Sequence, residues 1–326
     1  MLSVFFYEAF QEEEQALKRY LSPKLKVEFT WQTIQEAGET YPPADLISIR
    51  TQSIIPPAWG TKLSGLLTRS TGYDHLHHYL AQGQCNLPCG YLPQYCHRAV
   101  AEQTLLLWLT LLRKFPQQLQ QFHTFNRDGL TGQECQQKIL LVVGVGHIGY
   151  EVIKIGQGLG MLALGVDIEK KHPNVAYVTL EEGLSQADIV VCAMNLTADN
   201  RNYFNYSSLK LSKPGMIFIN IARGEMSPAM DLLQLLDEQF LGGVALDVYD
   251  RESELATSLR RGQVIDHHDH HPDLGAILEL AKRPNVILTP HNAFNTQEAV
   301  ARKADHSIQQ VNAFLATGRF IWPVPF

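Results

Sequence analysis

Side chains capable of acid–base chemistry follow apolar segments in the second half of this 326-residue chain. Arg223, Asp247, Glu252 and His291 each come at or shortly after the end of such a segment. An arginine fork binds a carboxylate through two bonds and can polarise a neighbouring carbonyl. A carboxylate beside a histidine stabilises the imidazolium, which can donate a proton to a carbonyl oxygen. These residue types indicate proton transfer to or from a substrate that carries a carboxylate and a carbonyl or hydroxyl.

Each of these residues also has a plainer interpretation. Arg223 could form a surface salt bridge, Glu252 lies in a run of charged residues, and His291 could be an ordinary loop histidine. The choice depends on whether the fold brings the three side chains together.

A dinucleotide-binding pattern lies at residues 139–149, where five apolar residues lead into Gly-x-Gly-x-x-Gly. A helical pattern and a second apolar run, which ends at Asp167, follow it. The three glycines permit a tight turn, close approach of the backbone to a pyrophosphate, and close packing of helix on strand. An ordinary tight turn is the alternative, but it does not require this order of elements. The predicted cofactor-binding residues of this segment are Gly144, Gly146, His147, Ile148, Gly149 and Asp167.

Asp167 favours NAD over NADP as the cofactor. It comes eighteen residues after Gly149, near the ~20 expected for a carboxylate that binds the ribose 2′-hydroxyl. The same carboxylate would repel a 2′-phosphate, although Lys170 and Lys171 nearby weaken that preference.

Strand and helix patterns continue to alternate after Asp167, which predicts a doubly wound parallel sheet. In such a sheet, ligands bind outside the carboxyl ends of the strands. Topology alone therefore places Arg223, Asp247, Glu252 and His291 along the same rim as the dinucleotide. With NAD at that rim, the sequence predicts reduction of a 2-oxo acid to a 2-hydroxy acid.

The first hundred residues predict a separate, smaller parallel α/β domain. Strand patterns alternate there with helical patterns, and a further helix begins near Asp74. A Gly- and Pro-rich loop at 88–93 precedes a long helix at about 97–114, which we expect Pro116 to end. A polar connection then leads to the glycine motif, and we place the domain boundary near residue 103.

Composition excludes several other classes of protein. Apolar residues make up 45% of the chain and charged residues 18%, which is typical of a globular protein. The net charge of −6 argues against a nucleic-acid partner, and no apolar run has the ~20 residues of a membrane span. The N-terminus lacks the basic start of a signal peptide, and five cysteines suit reduced thiols, so we expect a cytoplasmic location.

No metal site is expected. Cys85, Cys89 and Cys96 fit no common zinc spacing, and adjacent histidines such as those at 267–271 rarely converge on one ion. We interpret the histidine segment as a solvated loop.

At this point the motifs resemble those of the D-isomer-specific 2-hydroxyacid dehydrogenases, and within them the D-lactate dehydrogenase branch. The resemblance covers nearly the whole chain. Its motifs are the glycine turn with Asp167, Asn-Ile-Ala-Arg-Gly at 220–224, Leu-Asp-Val-Tyr-Asp-Arg-Glu at 246–252 and Thr-Pro-His-Asn-Ala-Phe at 289–294.

The resemblance implies a role for each matching residue. Arg223 would bind the substrate carboxylate and carbonyl, His291 would be the acid/base, and Glu252 would pair with His291. Ile221, Ala222 and Asp247 would face the nicotinamide, and Met194, Asn195 and Asn200 the middle of the cofactor.

The substrate side is also implied by the resemblance. Backbone N–H groups of Thr71 and Gly72 would bind the substrate carboxylate. Tyr95 and Phe294 would line a side-chain pocket that favours a small apolar group, such as the methyl of pyruvate.

The family's architecture implies a Rossmann domain at 104–293, a smaller flavodoxin-like substrate domain at 1–103 and 294–326, a cleft between them, and a homodimer. The leading prediction is an NAD-dependent D-2-hydroxyacid dehydrogenase that acts on pyruvate or a close 2-oxo acid. A glyoxylate/hydroxypyruvate reductase, a branched 2-oxo acid reductase and a non-catalytic NAD-sensing scaffold are the alternatives.

Overall fold

The chain forms two compact units, seen in a computed structural model that describes residues 3–23, 25–83, 86–262 and 272–325. The first unit comprises Met1–Cys96 together with Asn295–Phe326, and the second comprises His97–Phe294. The first boundary lies before the expected residue 103, because a continuous helix starts at His97 and packs within the second unit. Within the described ranges, no helix is both long enough and apolar enough to cross a membrane.

The first unit is built on a five-stranded parallel sheet whose order is β2-β1-β3-β4-β5. This is the strand order of the flavodoxin-like fold, as expected. Its strands are β1 (Val4–Phe6), β2 (Val27–Phe29), β3 (Leu46–Ile49), β4 (Gly65–Thr68) and β5 (Cys89–Gly90). Its helices are α1 (Gln11–Tyr20), α2 (Ile34–Ala37), α3 (Asp74–Gly83) and, from the end of the chain, α12 (Gln297–Thr317).

Helices α1 and α12 pack against each other in this unit. Acidic residues in the first turn of α1 and basic residues in its last turn complement the helix dipole. Thr296 caps the start of α12 by accepting a hydrogen bond from the backbone N–H of Ala299, and Gly318 ends it in the left-handed conformation.

A charged cluster lies fully buried between these helices and the sheet. Arg69 and Lys303 each place a nitrogen 2.8 Å from Oε1 of Glu13, and all three side chains are inaccessible to solvent. The guanidinium of Arg69 also donates to Ser48 Oγ at 3.0 Å and to the carbonyl of Tyr7 at 2.6 Å. Burial raises the pKa of Glu13, but Arg69 and Lys303 outweigh it and lower that pKa to about 2.

The second unit is built on a seven-stranded parallel sheet of order β12-β11-β10-β9-β6-β7-β8. The order reverses between β6 and β9, as in a Rossmann fold, and marks the edge where a dinucleotide binds. The strands are β6 (Ile139–Val143), β7 (Leu162–Val166), β8 (Ala176–Tyr177), β9 (Ile189–Cys192), β10 (Ile217–Asn220), β11 (Gly243–Leu246) and β12 (Val286–Leu288). The helices are α4 (His97–Leu112), α5 (Phe115–Gln121), α6 (His147–Gly158), α7 (Leu180–Gln186), α8 (Tyr206–Leu209), α9 (Ala229–Asp237), α10 (Glu252–Arg260) and α11 (Pro272–Leu280).

Two local predictions were wrong. The segment after Pro116 is not a polar connection but part of α5. Proline is tolerated in the first turn of a helix, and Lys114, in the left-handed conformation with a φ of 49°, separates α5 from α4. The predicted loop at 88–93 contains β5, whose two residues pair with Leu66 and Leu67 of β4 and are too few to form a pattern.

The buried cluster generates a stability prediction. Glu13→Gln leaves Arg69 and Lys303 without their shared carboxylate, so we expect the free energy of unfolding to fall by about 3–5 kcal/mol. Urea unfolding measures this change. The exposed neighbour Glu12 provides the control, because Glu12→Gln should cost about 0.5 kcal/mol or less. Equal effects of the two substitutions would contradict a stabilising role for the cluster.

Candidate functional site

The glycine turn joins β6 to α6 and is shaped for close backbone packing. Gly144 has a φ of 92°, and a Cβ there would lie 2.6 Å from the backbone nitrogen of Met194. A Cβ on Gly149 would lie 1.9 Å from the carbonyl oxygen of Gly144. A Cβ on Gly146 would meet nothing within 4 Å, so the space beside this residue is open. The turn thus leaves room for a ligand at Gly146 while Gly144 and Gly149 are fixed by contacts within the protein.

The start of α6 suits an anion. Gly146 is its N-cap and provides no side-chain hydrogen bond to the first turn, and that turn contains no acidic residue. The N–H groups and the positive end of the helix dipole therefore face outward, as a pyrophosphate requires. His147 is the exposed first residue of the helix and Ile148 is half-buried behind it.

Asp167 lies beside this turn. Its Oδ2 accepts a hydrogen bond from the backbone N–H of Val145 at 2.6 Å, and its Oδ1 accepts one from the backbone N–H of Glu169 at 2.9 Å. A carboxylate has about four acceptor positions, so capacity for ribose hydroxyls remains. The carboxylate is thus oriented by the glycine turn itself.

Arg223 follows β10 in a turn that Asn220 holds. The fully buried Asn220 donates through Nδ2 to the carbonyl of Arg223 and to Ser227 Oγ, both at 2.8 Å, and accepts from the N–H of Ala222. Ile221 and Ala222 between them are buried. The guanidinium of Arg223 is half-buried and donates to the carbonyl of Ala222 at 2.8 Å.

Because Gly224 has no side chain, the turn that carries Arg223 can contact the loop after β11. A Cβ on Gly224 would lie 1.9 Å from the backbone carbon of Tyr249 and 2.0 Å from the nitrogen of Asp250. Both distances are incompatible with any side chain. The glycine is therefore required by backbone contact between the two loops.

Asp247 is a buried carboxylate that holds the loop after β12. Its Oδ1 accepts from Thr289 Oγ1 at 2.6 Å and from the N–H of Asn292 at 2.8 Å, and its Oδ2 accepts from the N–H of Ala293 at 2.9 Å. Burial raises the pKa of Asp247, opposed first by His291 and then by these hydrogen bonds. The donors, Thr289 on one side of His291 and Asn292 and Ala293 on the other, are thus bound to one carboxylate, which fixes the backbone of His291.

His291 and Glu252 form a pair. Nδ1 of His291 lies 2.7 Å from Oε1 and 2.9 Å from Oε2 of Glu252, and both side chains are under one-fifth exposed. Glu252 is the first residue of α10, where the helix dipole favours a negative charge. The backbone of His291 has a φ of 50°, an uncommon conformation for a non-glycine residue that the contacts of Asp247 maintain. Since Nδ1 is taken by the carboxylate, proton transfer is left to Nε2.

Tyr249 was not identified from the sequence. Its hydroxyl donates towards the carbonyls of Leu246 at 3.2 Å and Thr289 at 2.8 Å, which ties the ends of β11 and β12 together. Burial raises the pKa of Tyr249 well above its ordinary range, so the hydroxyl stays protonated as a donor. The residue stands in the motif at 246–252, but nothing in the sequence indicates the cross-strand contact.

The loop after β9 carries the remaining cofactor candidates. Asn200 accepts from the N–H of Thr197 and donates to the carbonyl of Asn195, both at 2.8 Å, so it braces the loop from inside. Met194 is half-buried and Asn195 is exposed.

The substrate candidates are divided between the two units. Phe294 is buried at the end of the second unit, whereas Thr71, Gly72 and Tyr95 belong to the first. In the loop after β4, Ser70 Oγ donates to the carbonyl of Gly72 at 2.6 Å, and Thr71 Oγ1 lies 3.7 Å from Cys96 Sγ. Burial, the largest cause, raises the pKa of Tyr95 well above its ordinary value.

The described residues contain no group of three or more His, Cys, Asp or Glu side chains that could hold a metal ion. Cys85 and the histidines at 267–271 lie outside the described residues. The four described cysteines, at positions 89, 96, 135 and 192, are free thiols.

The family follows from comparison with known proteins. Residues 105–293 match the model of the D-isomer specific 2-hydroxyacid dehydrogenase, NAD binding domain, which spans more than half of the chain. The chain therefore belongs to the D-isomer-specific 2-hydroxyacid dehydrogenases. It is an NAD-dependent oxidoreductase that acts on the CH–OH group of D-2-hydroxy acids.

Individual relatives agree with this assignment. The D-2-hydroxyacid dehydrogenase (NAD+) of Lacticaseibacillus paracasei is 32% identical over 80% of this chain and 77% of its own length. An aromatic 2-oxoacid reductase of Clostridium sporogenes is 30% identical over 78% of this chain and 76% of its own. The crystal structure of the Aquifex aeolicus D-lactate dehydrogenase, complexed with NAD and lactic acid, superposes with a TM-score of 0.82 at 27% identity. That match covers 98% of this chain and 99% of the other.

The contact at Gly224 generates a prediction. Gly224→Ala should destabilise the second unit by more than about 3 kcal/mol, because its Cβ would overlap the backbone after β11. Gly158→Ala is the matched control, since a Cβ there meets nothing within 4 Å and alanine favours the helix. Urea unfolding of both variants checks this, and a Gly224→Ala protein as stable as the control would refute the close contact.

Proposed function

We propose that this enzyme reduces a small 2-oxo acid to the D-2-hydroxy acid, with pyruvate and D-lactate as the leading pair. The observation that carries the proposal is the His291–Glu252 pair, held by Asp247 in the same sheet and at the same edge as Arg223 and the glycine turn. Lactic acid bound to the Aquifex aeolicus relative supports the choice of pyruvate.

The residues of the second unit fit NAD, whose reduced form, NADH, would supply the hydride when bound. In our proposal the pyrophosphate lies at Gly146, His147 and Ile148, where the helix N-terminus is open. The carboxylate of Asp167 takes the ribose hydroxyls. Further along the cofactor we place Met194, Asn195 and Asn200, and then Ile221, Ala222 and Asp247 at the nicotinamide end.

Arg223 binds the substrate carboxylate and polarises the carbonyl in this proposal, because its guanidinium is only half-buried and its backbone is fixed by Asn220. His291 donates the Nε2 proton to the carbonyl oxygen. Glu252 stabilises the imidazolium before the transfer and keeps the ring oriented.

We propose further substrate-binding residues in the first unit, which comprises residues 1–96 and 295–326. Backbone N–H groups of Thr71 and Gly72 receive the substrate carboxylate in this proposal, and Tyr95 contacts the substrate side chain. Phe294 of the second unit is proposed as a substrate-binding residue as well.

Two other functions are alternatives to this proposal, and the test with 2-oxo acids distinguishes them from it. A glyoxylate/hydroxypyruvate or branched 2-oxo acid reductase would use the same residues on a substrate with another side chain. One similar protein, of Clostridium sporogenes, is named an aromatic 2-oxoacid reductase. A non-catalytic NAD-sensing scaffold would bind NADH without oxidising it.

We also propose that the chain forms a homodimer through its second unit. Five large apolar side chains on and around α4 and α5 are about half exposed or more, and they would supply the apolar surface that a protein–protein interface buries. They are Leu106, Phe115, Leu119, Phe122 and Phe125. A cytoplasmic location is inferred from the free thiols.

The role of His291 is tested by NADH oxidation with a panel of 2-oxo acids. His291→Ala should lower kcat by about 10²–10⁴-fold, because the proton donor is lost, while the Kd for NADH changes by less than about twofold. His78→Ala, which removes an exposed histidine of α3, is the control and should keep full activity. Unchanged turnover of His291→Ala would refute the role. A wild-type chain that binds NADH but oxidises it with no 2-oxo acid would support the scaffold.

Asp167 is expected to set the choice of cofactor. Asp167→Ala should raise the ratio of kcat/KM for NADPH over NADH by about tenfold, since the repulsion of a 2′-phosphate is removed. Glu169→Ala removes one exposed negative charge two residues away and should change the ratio by less than about twofold. If both variants changed the ratio similarly, the choice of cofactor would depend on net charge and not on the contact of Asp167 with the ribose.

A further inference from the structure

A chain of hydrogen bonds runs through the first unit from helix α3 to the loop after β4. Thr68 ends β4, Ser70 lies in the loop, and His75 is the second residue of α3. Nε2 of His75 lies 3.0 Å from Thr68 Oγ1, which in turn lies 2.7 Å from Ser70 Oγ. Ser70 Oγ donates to the carbonyl of Gly72 at 2.6 Å. Because Thr68 and Ser70 are buried, solvent competes little for these bonds.

The direction of each bond in this chain follows from the number of hydrogens available. A hydroxyl has one hydrogen, and a carbonyl can only accept. Ser70 uses its hydrogen on the carbonyl of Gly72, so its oxygen accepts from Thr68. Thr68 has then used its own hydrogen and accepts from His75. Nε2 of His75 therefore carries a hydrogen, which both the neutral Nε2–H form and the imidazolium provide.

The chain ends on a loop that is held at two points. Glycine has the widest backbone freedom, and the bond from Ser70 fixes the peptide plane that follows Gly72. The backbone N–H of Leu92 donates to the carbonyl of Ser70 at 3.1 Å and ties the start of the loop to the segment after β5. The backbone is therefore restrained on both sides of Thr71.

This restrained loop presents two adjacent donors. Thr71 and Gly72 are half-buried, and within the described ranges no group of the protein accepts a hydrogen bond from the backbone N–H of either residue. Donors whose orientation is fixed beforehand bind a carboxylate more tightly, because ordering a loop on binding costs free energy. The hydrogen-bond chain supplies that fixed orientation.

We infer that His75, acting through the two buried hydroxyls, orients the Thr71–Gly72 loop for the substrate carboxylate. The inference rests on the proposed function, in which the backbone N–H groups of this loop receive that carboxylate. His75 is thus a positioning residue. Loss of any link in the chain should weaken binding of the 2-oxo acid, whereas NADH, whose proposed residues lie in the second unit, should bind unchanged.

The first test compares Thr68→Val, which keeps the shape but lacks the hydroxyl, with Thr68→Ser, which keeps the hydroxyl. Thr68→Val should raise the KM for the preferred 2-oxo acid by about tenfold, because hydrogen bonds to a charged group are weakened. Its kcat and its Kd for NADH should change by less than about threefold. The Kd of oxamate, an unreactive analogue of pyruvate, on the enzyme–NADH complex should rise with the KM. Thr68→Ser should retain the wild-type affinity within about threefold.

The second test changes His75 itself. His75→Leu should raise the Kd of oxamate by about three- to tenfold, because Thr68 loses its donor. His75→Gln keeps an N–H donor of similar reach and should restore most of the affinity. His78→Leu is the matched control, since it makes the same change at an exposed position of the same helix and should leave the Kd unchanged.

The inference is overturned if Thr68→Val binds oxamate as tightly as wild type, or if Thr68→Ser weakens binding as much as Thr68→Val, as a role in packing alone predicts. If Thr68→Val does not fold, the His75 pair decides by the same criteria: equal oxamate affinity of His75→Leu and wild type, or equal losses in His75→Leu and His75→Gln, overturns the inference. In each of these cases an active wild type leaves the proposed function standing. A wild type that oxidises NADH with no 2-oxo acid would instead contradict the proposed function, and the inference with it.

Discussion

The buried carboxylate of Asp247 is the contact on which the candidate site depends. It lies just after β11, yet its three hydrogen bonds all go to the loop after β12, at Thr289, Asn292 and Ala293. These bonds hold His291 in a backbone conformation that a histidine adopts rarely, and that conformation brings Nδ1 within 2.7 Å of Glu252. The strain is maintained because the hydrogen bonds are charge-assisted and end on a buried carboxylate. Without Asp247, the backbone that carries the proposed proton donor would lose this support.

The parts that the sequence could predict are those with local patterns. The glycine turn and the alternation of apolar strands with helices have fixed spacings, and parallel topology then places Arg223, Asp247, Glu252 and His291 at one edge. The pairing of Glu252 with His291 came from the family resemblance, and the 2.7 Å contact agrees with it. From its position alone, Glu252 is one residue in a run of charged residues, and such a run gives no sign of a partner.

The parts that could not be predicted depend on contacts between residues far apart in the chain. Tyr249 bonds to Thr289, Gly224 touches the backbone of Tyr249 and Asp250, and Glu13 binds both Arg69 and Lys303. No spacing rule connects such pairs. The sequence also favoured a small apolar substrate side chain on account of Tyr95 and Phe294. It could not reveal that Lys303 lies 5.8 Å from the centre of the Tyr95 ring, because the two residues are far apart in the chain.

The most direct measurement of the central claim is the rate of NADH oxidation in a single turnover, with the enzyme in excess of NADH and the 2-oxo acid saturating, for wild type and Asp247→Asn. Asparagine keeps the shape but turns one acceptor into a donor, which then faces the N–H groups of the His291 loop. The account predicts a rate that is lower by about tenfold to a hundredfold. A rate within about twofold of wild type would contradict it.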